Sequence, residues 1–359
     1  MTSNFAYRYV SLTPEHTTVT GARSYGTKSA MTASGALFGE VDDESFALNF
    51  DLLTRADMSR YGASKSVNGK EYSEGGMNLV MQPDDTLGLL LYAMYGDNTT
   101  VNSSGYDCTG FVHTWKESSD LILPSFTIEV GREEKEHTYT GMCLSSLSIS
   151  ASHGEYATIS ADFTGKSESA VSTLVSGPAF GGAALDGFHF ANGTVQFSAT
   201  GASSTTVTTV QSISLEYNMN LDTDAACSIG SRTYIRQPQP QMREITGTVE
   251  FSVAQTSSAD ANTPDYETAL STGGAIYDGD AGDAAITLNF TNGTQSVDFK
   301  IRKVRWEAPS QNVSGRDTST LSMGFVALVD PTDNVMSTCI LTHTAASSDL
   351  ASGVKYSIA

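Results

Sequence analysis

The chain has 359 residues and a formal net charge of −20, and charged residues make up only 17% of it. An acidic surface repels nucleic acid phosphates, which excludes proteins that read DNA or RNA sequence. A long coiled coil is also excluded, because Gly, Ser and Thr are abundant where Ala, Leu, Glu and Lys would be expected.

Targeting signals are not evident in the sequence. The N-terminal residues contain neither an apolar run nor a small-residue cleavage site, so we expect no signal peptide. No stretch approaches the roughly 18 apolar residues of a membrane span, and we expect no membrane contact. The 4 cysteines contain no CxxC pair, which favours reduced thiols in a reducing compartment.

Alternation of apolar and polar residues predicts strands along the whole chain. In the first run, 45–52, the apolar residues predicted to face the core are Phe46, Leu48, Phe50 and Leu52. Further alternating runs lie at 147–151, 157–163, 212–221, 245–253, 286–290, 297–301 and 321–325.

Only two segments have helical spacing of apolar residues, and we predict helices over 83–95 and 264–272. Each has Pro in its first turn, acids near its N-terminus and Gly at its C-terminal end. Two long polar segments, 54–73 and 222–242, are predicted to be loops.

The predicted elements occur twice in the same order: strand, long loop, strand, helix and further strands. We therefore expect an internal duplication, with a first domain at 1–175, a Gly-rich joint at 176–190 and a second domain at 191–359. The expected fold class is mainly β (α+β), with tandem antiparallel β-sandwich units that can form a barrel and one flanking helix in each.

No catalytic motif is present. The sequence lacks a G-x-S-x-G elbow, a P-loop, a G-x-G-x-x-G after a strand and an H-E-x-x-H pair. His189 is interpreted as a strand histidine. Asp278, Asp280 and Asp283 could offer oxygens to Ca²⁺, but too few ligands follow, and solvated turn acids explain them more simply. We expect no enzyme, no cofactor and no metal.

Bases are concentrated in the two predicted loops of this acidic chain. They are Arg55, Arg60, Lys65 and Lys70 in the first loop, and Arg232 and Arg236 in the second. Long loops within compact domains are usually functional, so these loops can dock onto the acidic surface of another copy. The other interpretation is that they only keep the protein soluble.

The strand faces opposite the predicted core carry small, polar or acidic residues with almost no Lys or Arg. The predicted members of this face are Asn49, Asp51, Ser148, Ser150, Ser160, Asp162, Glu216, Asn218 and Asn220. Such a face has little attraction for polyanions. Its membership depends on strand register, since a slip of one residue exchanges the two faces.

The chain resembles the major tail tube proteins of long-tailed (siphovirus-like) viruses of bacteria or archaea. The resemblance rests on the strand and Pro-started helix at 69–96 (GKEYSEGGMNLVMQPDDTLGLLLYAMYG), on FVHTW around His113, on LPSFTIE at 123–129 and on 139–166. It covers most of 40–166, with a weaker echo at 205–330.

The resemblance implies a structural virion protein, made in the host cytoplasm, whose rings stack into a tail tube that carries the genome. The polar face would then line the lumen, and the long loops would reach the next ring. Two tandem units would close with three chains into a pseudo-sixfold ring. Implied partners are further copies of the chain, the tape measure, tail terminator and distal tail proteins, and passing double-stranded DNA without specific binding. The alternative is a surface β-sandwich that recognises glycans or host receptors.

Overall fold

The computed structural model describes residues 8–15, 25–27, 37–96, 98–101, 111–117, 123–133, 135–174, 186–198, 204–252, 284–308, 310–312, 320–331 and 334–343. Over these residues the chain is mainly antiparallel β with one α-helix, which confirms the expected mainly β fold.

The strands of the first part of the chain are β1 (Tyr9–Pro14), β2 (Leu37–Gly39), β3 (Asp43–Glu44), β4 (Ala47–Ala56), β5 (Ala63–Val80), β6 (Asn98–Val101), β7 (Phe111–Lys116), β8 (Phe126–Arg132), β9 (Lys135–Ser152), β10 (Thr158–Gly165) and β11 (Ser167–Ser172). The strands of the second part are β12 (Gly193–Ser198), β13 (Thr205–Val207), β14 (Val210–Asn218), β15 (Leu221–Asp222), β16 (Gln239–Pro240), β17 (Glu244–Ser252), β18 (Ala284–Asn292), β19 (Gln295–Trp306), β20 (Ser310–Asn312), β21 (Thr320–Ala327) and β22 (Ser337–His343).

The helix α1 (Asp85–Tyr95) confirms the first predicted helix. The Asp84 side chain accepts a hydrogen bond from the Leu87 N–H, and Gly96, with φ 86°, ends the helix. The second predicted helix, 264–272, and the acids Asp278, Asp280 and Asp283 lie outside the described residues.

The long strand β9 belongs to two sheets. Its first half pairs with β8 and β11, and its second half pairs with β10 and β14. The strand changes sheet near Gly141, whose φ of 69° is accessible to glycine at low cost. Aromatic contacts such as Phe126–Phe163 fill the space between the two sheets.

One continuous sheet connects the first and second parts of the chain. Its strands lie in the order β4, β5, β10, β9, β14, β17 and β21, and every neighbouring pair is antiparallel. A second connection is made where β7 pairs with β22. The β9–β14 and β7–β22 pairs both join strands that are far apart in sequence.

The pairing order of the first part occurs again in the second. In the first part, β2, β1, β8 and β9 are successive neighbours, and β11 and β10 pair with the other edge of β9. In the second part, β13, β12, β18 and β19 are successive neighbours, and β22 and β21 pair with the other edge of β19.

Most alternating runs are confirmed as strands with one buried face. Ile213, Leu215 and Tyr217 on β14 are buried, for example, while Ser214 and Glu216 are exposed. The predicted loop over 222–242 is confirmed as mostly irregular, with only β15 and β16 pairing within it.

Two predictions about the first loop and the strand before it are wrong. Most of 54–73 lies in β4 and β5, which pair as a long hairpin with its turn between Ala56 and Ala63. Its polar sequence reflects exposure of both faces, not a lack of regular structure. Phe50 and Leu52 are exposed rather than in the core, because β4 leaves the core after the buried Phe46.

Candidate functional site

A polar face of the central sheet brings together most of the residues predicted to line the lumen. Ser150 lies between Thr158 on β10 and Ser214 on β14, and Ser148 lies between Ser160 and Glu216. Because directly opposed residues of neighbouring strands share a face, these side chains form rows across the sheet. The structure thus combines residues from both parts of the chain into one surface, called here the polar face.

The polar face carries acidic side chains. Asp162 and Glu216 both lie on it, and Glu250, opposite Ser212, adds a further acid. The strands β10, β14, β17 and β21, and 144–152 of β9, contain no Lys or Arg. Arg305 on the adjoining β19 lies opposite Val326, at the boundary of this surface.

The polar face extends onto the hairpin at Asn49. The Asn49 side chain donates a hydrogen bond to Glu74 Oε1 at 2.7 Å, and Asn49 lies opposite Tyr72 on β5. Asp51 lies further out, where the register of β4 shifts between Phe50 and Leu52.

Asn218 and Asn220 occupy different positions. Asn218 lies opposite Ser146 at the end of β14, so it belongs to the polar face. Asn220 lies beyond the end of the strand, with φ 46°, and its side-chain amide donates to the Met242 carbonyl oxygen at 2.7 Å. The strand ends at Asn218, but the alternation predicted over 212–221 continues in the burial of the side chains, since Met219 is buried and Asn220 is exposed.

The hairpin of β4 and β5 is the second distinctive surface. Arg55 lies directly opposite Lys65, and Arg60 lies in the connecting turn. Apolar side chains on the same hairpin are largely exposed. These are Phe50, Leu52, Leu53, Met58, Tyr61 and Val67. A projecting apolar and basic element on an acidic protein is the kind of surface that a partner covers.

Sequence reasoning identified the bases of this hairpin but missed its apolar side chains. The available signal was the position of Met58, Tyr61 and Val67 within the otherwise polar segment 54–73, and of Leu53 just before it. These few apolar residues do not alternate with polar ones, so the segment was predicted to be a loop.

The base of the hairpin contacts the irregular segment 223–238 of the same chain. The Lys70 ammonium lies 3.8 Å from a carboxylate oxygen of Asp224 and 5.0 Å from the centre of the Tyr234 ring. The Glu71 N–H donates to the Arg232 carbonyl oxygen at 2.9 Å. Arg236 donates from Nε to the Ala225 carbonyl oxygen at 2.7 Å. Lys70, Arg232 and Arg236 therefore all make contacts within the chain.

Segment 223–238 and its flanks also expose apolar side chains. Ile229, Ile235 and Met242 are all largely exposed. The chain therefore exposes apolar side chains both on the hairpin and on the segment that contacts its base.

Buried ionisable groups serve the fold. Glu15 accepts hydrogen bonds from the Gly26 and Gly141 N–H groups and from Ser125 and Thr127, and burial raises its pKa. Burial likewise raises the pKa of Glu117, which accepts from the Met336 N–H at 2.9 Å. Each carboxylate accepts at least one hydrogen bond from a backbone N–H and so holds a backbone segment in place.

Chemistry-bearing residues do not converge in the part of the chain that the structure describes. No group of three His, Cys, Asp or Glu residues there has the spacing of a metal site. His189 pairs in an isolated bridge with Tyr156, and its Nδ1 accepts from the Ala191 N–H at 3.2 Å. No helix among the described residues is long and apolar enough to cross a membrane.

The fold and these surfaces define a mainly β structural protein whose distinctive features are a wide polar sheet face and an exposed hairpin. The chain belongs to the phage tail tube protein family, whose model matches residues 12–327. It is thus a structural component of the virion tail. A comparison with curated proteins gives no match.

Proposed function

We propose that this chain forms trimeric rings that stack into the tail tube of a long-tailed virus, and that the genome passes through the tube. Each chain would supply two duplicated units, with domains at 1–175 and 191–359 and a joint at 176–190. The repeated pairing order of β1–β11 and β12–β22 supports the duplication.

The continuous polar face is the observation that carries this proposal. Strands β10, β14, β17 and β21 and residues 144–152 of β9, which form most of it, contain no Lys or Arg and come from both parts of the chain. Facing a channel, such a wall would let DNA pass without binding, since Lys and Arg contacts to phosphates drive nonspecific association.

The exposed apolar hairpin is proposed to contact a neighbouring ring. Burying Phe50, Leu53, Met58 and Tyr61 between subunits would remove apolar area from water, at about 25 cal/mol per Å². Tape measure, tail terminator and distal tail proteins are proposed to meet the tube inside it and at its two ends.

Electron microscopy of the purified chain at high concentration tests the proposal. We expect hollow stacked rings with threefold symmetry, each built from three chains of 38.0 kDa. Rings with strict sixfold symmetry of this chain would refute the trimer. Virus particles whose tubes lack this chain would refute the tube function.

A further inference from the structure

Four of the 20 Lys and Arg residues of this acidic chain lie within residues 300–305 of β19. Phe299 and Ile301 are buried in the core, so Lys300 between them points to the opposite side of the sheet, called here the outer side. Phe197 on β12 packs against Phe251 on β17, so the core separates the outer side from the polar face. Lys300 therefore belongs to a surface that is distinct from the polar face.

A groove of about 320 Å³ opens beside Lys300 on the outer side. Three neighbouring strands form it, since Gln196 on β12 lies opposite Thr287 on β18, and Thr287 lies opposite Lys300. In the adjacent row, Asn289 on β18 lies opposite Asp298 on β19. These five side chains are half-buried, and together with Arg302 they define what we call the Lys300 groove.

Hydrogen bonds within the Lys300 groove hold its polar groups in place. The Asn289 amide donates to Asp298 Oδ1, and Asn289 Oδ1 accepts from the Thr291 hydroxyl at 2.9 Å. The Gln196 amide donates to the Thr206 hydroxyl oxygen at 3.4 Å. Asp298 Oδ2 and Gln196 Oε1 are left as acceptors for a ligand, and the Lys300 ammonium makes no ion pair among the described residues.

The Lys300 groove has a net positive charge. Lys300 and Arg302 contribute two positive charges, and Asp298 contributes one negative charge. The exposed Lys116 on β7 lies opposite Thr338, which lies opposite Lys300, so the two lysines are two strands, or about 10 Å, apart. On a chain with a net charge of −20, this groove favours a ligand that carries negative charge.

The mixture of groups in the groove selects among anions. A bare phosphate offers no donor to the Asp298 carboxylate and is repelled by it. A sugar that bears a carboxylate has a charge for Lys300 and Arg302, and hydroxyl donors for Asp298 and Gln196. The groove volume of about 320 Å³ lies at the lower end of the range for small-molecule sites, about 300–1,000 Å³.

The corresponding face in the first part of the chain is closed. Strands β1 and β8 and the first half of β9 occupy the same places in the pairing order as β12, β18 and β19. Their residues on the side away from the core are at most 3% exposed: Ser11, Thr127, Glu129 and Thr138. Among the described residues, the groove is therefore open only in the second part of the chain.

We infer that the Lys300 groove binds an anionic polysaccharide through one carboxylate-bearing sugar unit. The inference goes beyond the proposed tube, because the groove lies within one chain and needs no ring to form. On the outside of a stacked tube it would recur in every subunit, and one long polymer would contact several grooves at once. The tail would then adhere along its side to surfaces that carry such polymers.

Binding of the galacturonic acid tetramer to the purified full chain tests the inference. Isothermal titration calorimetry should show binding of the tetramer and about tenfold weaker binding of its methyl ester, which keeps the sugar rings but lacks the charge. Lys300→Met should weaken binding of the tetramer by about tenfold. Lys135→Met removes the same charge at an exposed position outside the groove, and should change the affinity by less than about twofold.

Asp298→Asn separates a sugar site from a general anion site. The variant keeps the oxygen that accepts from Asn289 but replaces the other oxygen with NH₂. Because a sugar hydroxyl then loses its acceptor, affinity for the tetramer should fall by about threefold. Inorganic phosphate is repelled by the Asp298 carboxylate and should bind the variant at least as well as it binds the unmodified chain.

Four results would overturn the inference. They are no binding of the tetramer, equal binding of acid and methyl ester, phosphate binding as tight as that of the tetramer, and equal losses in Lys300→Met and Lys135→Met. The comparisons of acid, ester and phosphate use the unmodified chain, so they decide the matter even where a variant fails to fold. All of these measurements are made on single chains, so their failure would leave the tube function intact, and absence of rings would leave the groove intact.

Discussion

The side-chain oxygens of Tyr95 and Ser337 lie 3.0 Å apart in the buried core, although 242 residues separate them in the sequence. Tyr95 ends α1 and Ser337 begins β22, and the Tyr95 ring also packs edge-on against Tyr217 on β14. The first and second parts of the chain therefore share a core as well as a sheet.

Removing this hydroxyl group should destabilise the whole chain. We expect Tyr95→Phe to lower the free energy of unfolding by about 1 kcal/mol, because a buried hydrogen bond is lost while Ser337 keeps its contact with Glu117. Urea unfolding followed by circular dichroism measures this change. Tyr61→Phe, at a fully exposed tyrosine, is the control and should change stability by less than about 0.5 kcal/mol.

The buried carboxylate of Glu15 should make stability depend on pH. Burial raises its pKa above the ordinary value of 4.5, so the folded chain holds this proton more tightly than the unfolded chain. The stabilisation from protonated Glu15 is fully present below pH 4.5, and it is lost as the pH rises through the pKa of Glu15 in the folded chain. Unfolding free energies measured across this window should fall with pH.

Replacing that carboxylate should remove its pH-dependent contribution. Glu15→Gln places an amide NH₂ group next to N–H donors that need an acceptor. We expect it to lower the free energy of unfolding by about 1–3 kcal/mol. The variant should also show a flatter pH dependence than the unmodified chain over the same window. Equal slopes in the two proteins would contradict the assignment to Glu15.

The close approach of β4 and β5 depends on Gly75. Its φ is 153°, and a Cβ atom there would lie 2.4 Å from the Phe46 Cα atom. Gly75→Ala should therefore lower unfolding free energy by about 2–3 kcal/mol. Gly62→Ala in the hairpin turn, where an added Cβ meets nothing within 4 Å, should be nearly neutral. Equal melting temperatures for both variants would contradict this prediction.

Adding bases to the polar face should create DNA affinity in assembled tubes. Ser150 and Thr248 are exposed and lie two strands apart in one row, so two lysines there would be about 10 Å apart. We expect Ser150→Lys, Thr248→Lys tubes to retain double-stranded DNA in a salt-dependent way and to slow its passage.

A matched pair of substitutions away from the polar face provides the control. Ser204→Lys, Thr206→Lys adds the same charge beside and on β13 and should leave DNA retention in the tube unchanged. DNA retention that rises equally in both variants would show that net charge, rather than the polar face, is responsible.

The sequence predicted the elements whose two faces differ. On β10, β14 and β21, buried, mostly apolar residues alternate with less buried, mostly polar residues, and that period of two is visible without a structure. The helix α1 was equally clear, since Asp84 and Gly96 mark its ends. The hairpin was missed because strands exposed on both faces have no such contrast.

The sequence alone determined the fold class, the acidic character of the strands and the family resemblance, because composition and alternation are local properties of the chain. The tertiary structure decided which polar residues share a face, since the β9–β14 pair unites positions far apart in sequence. It also decided that Lys70 contacts Tyr234 and that Phe50 and Leu53 are exposed. Those outcomes depend on where each strand leaves the core, which is fixed only when distant segments pack together.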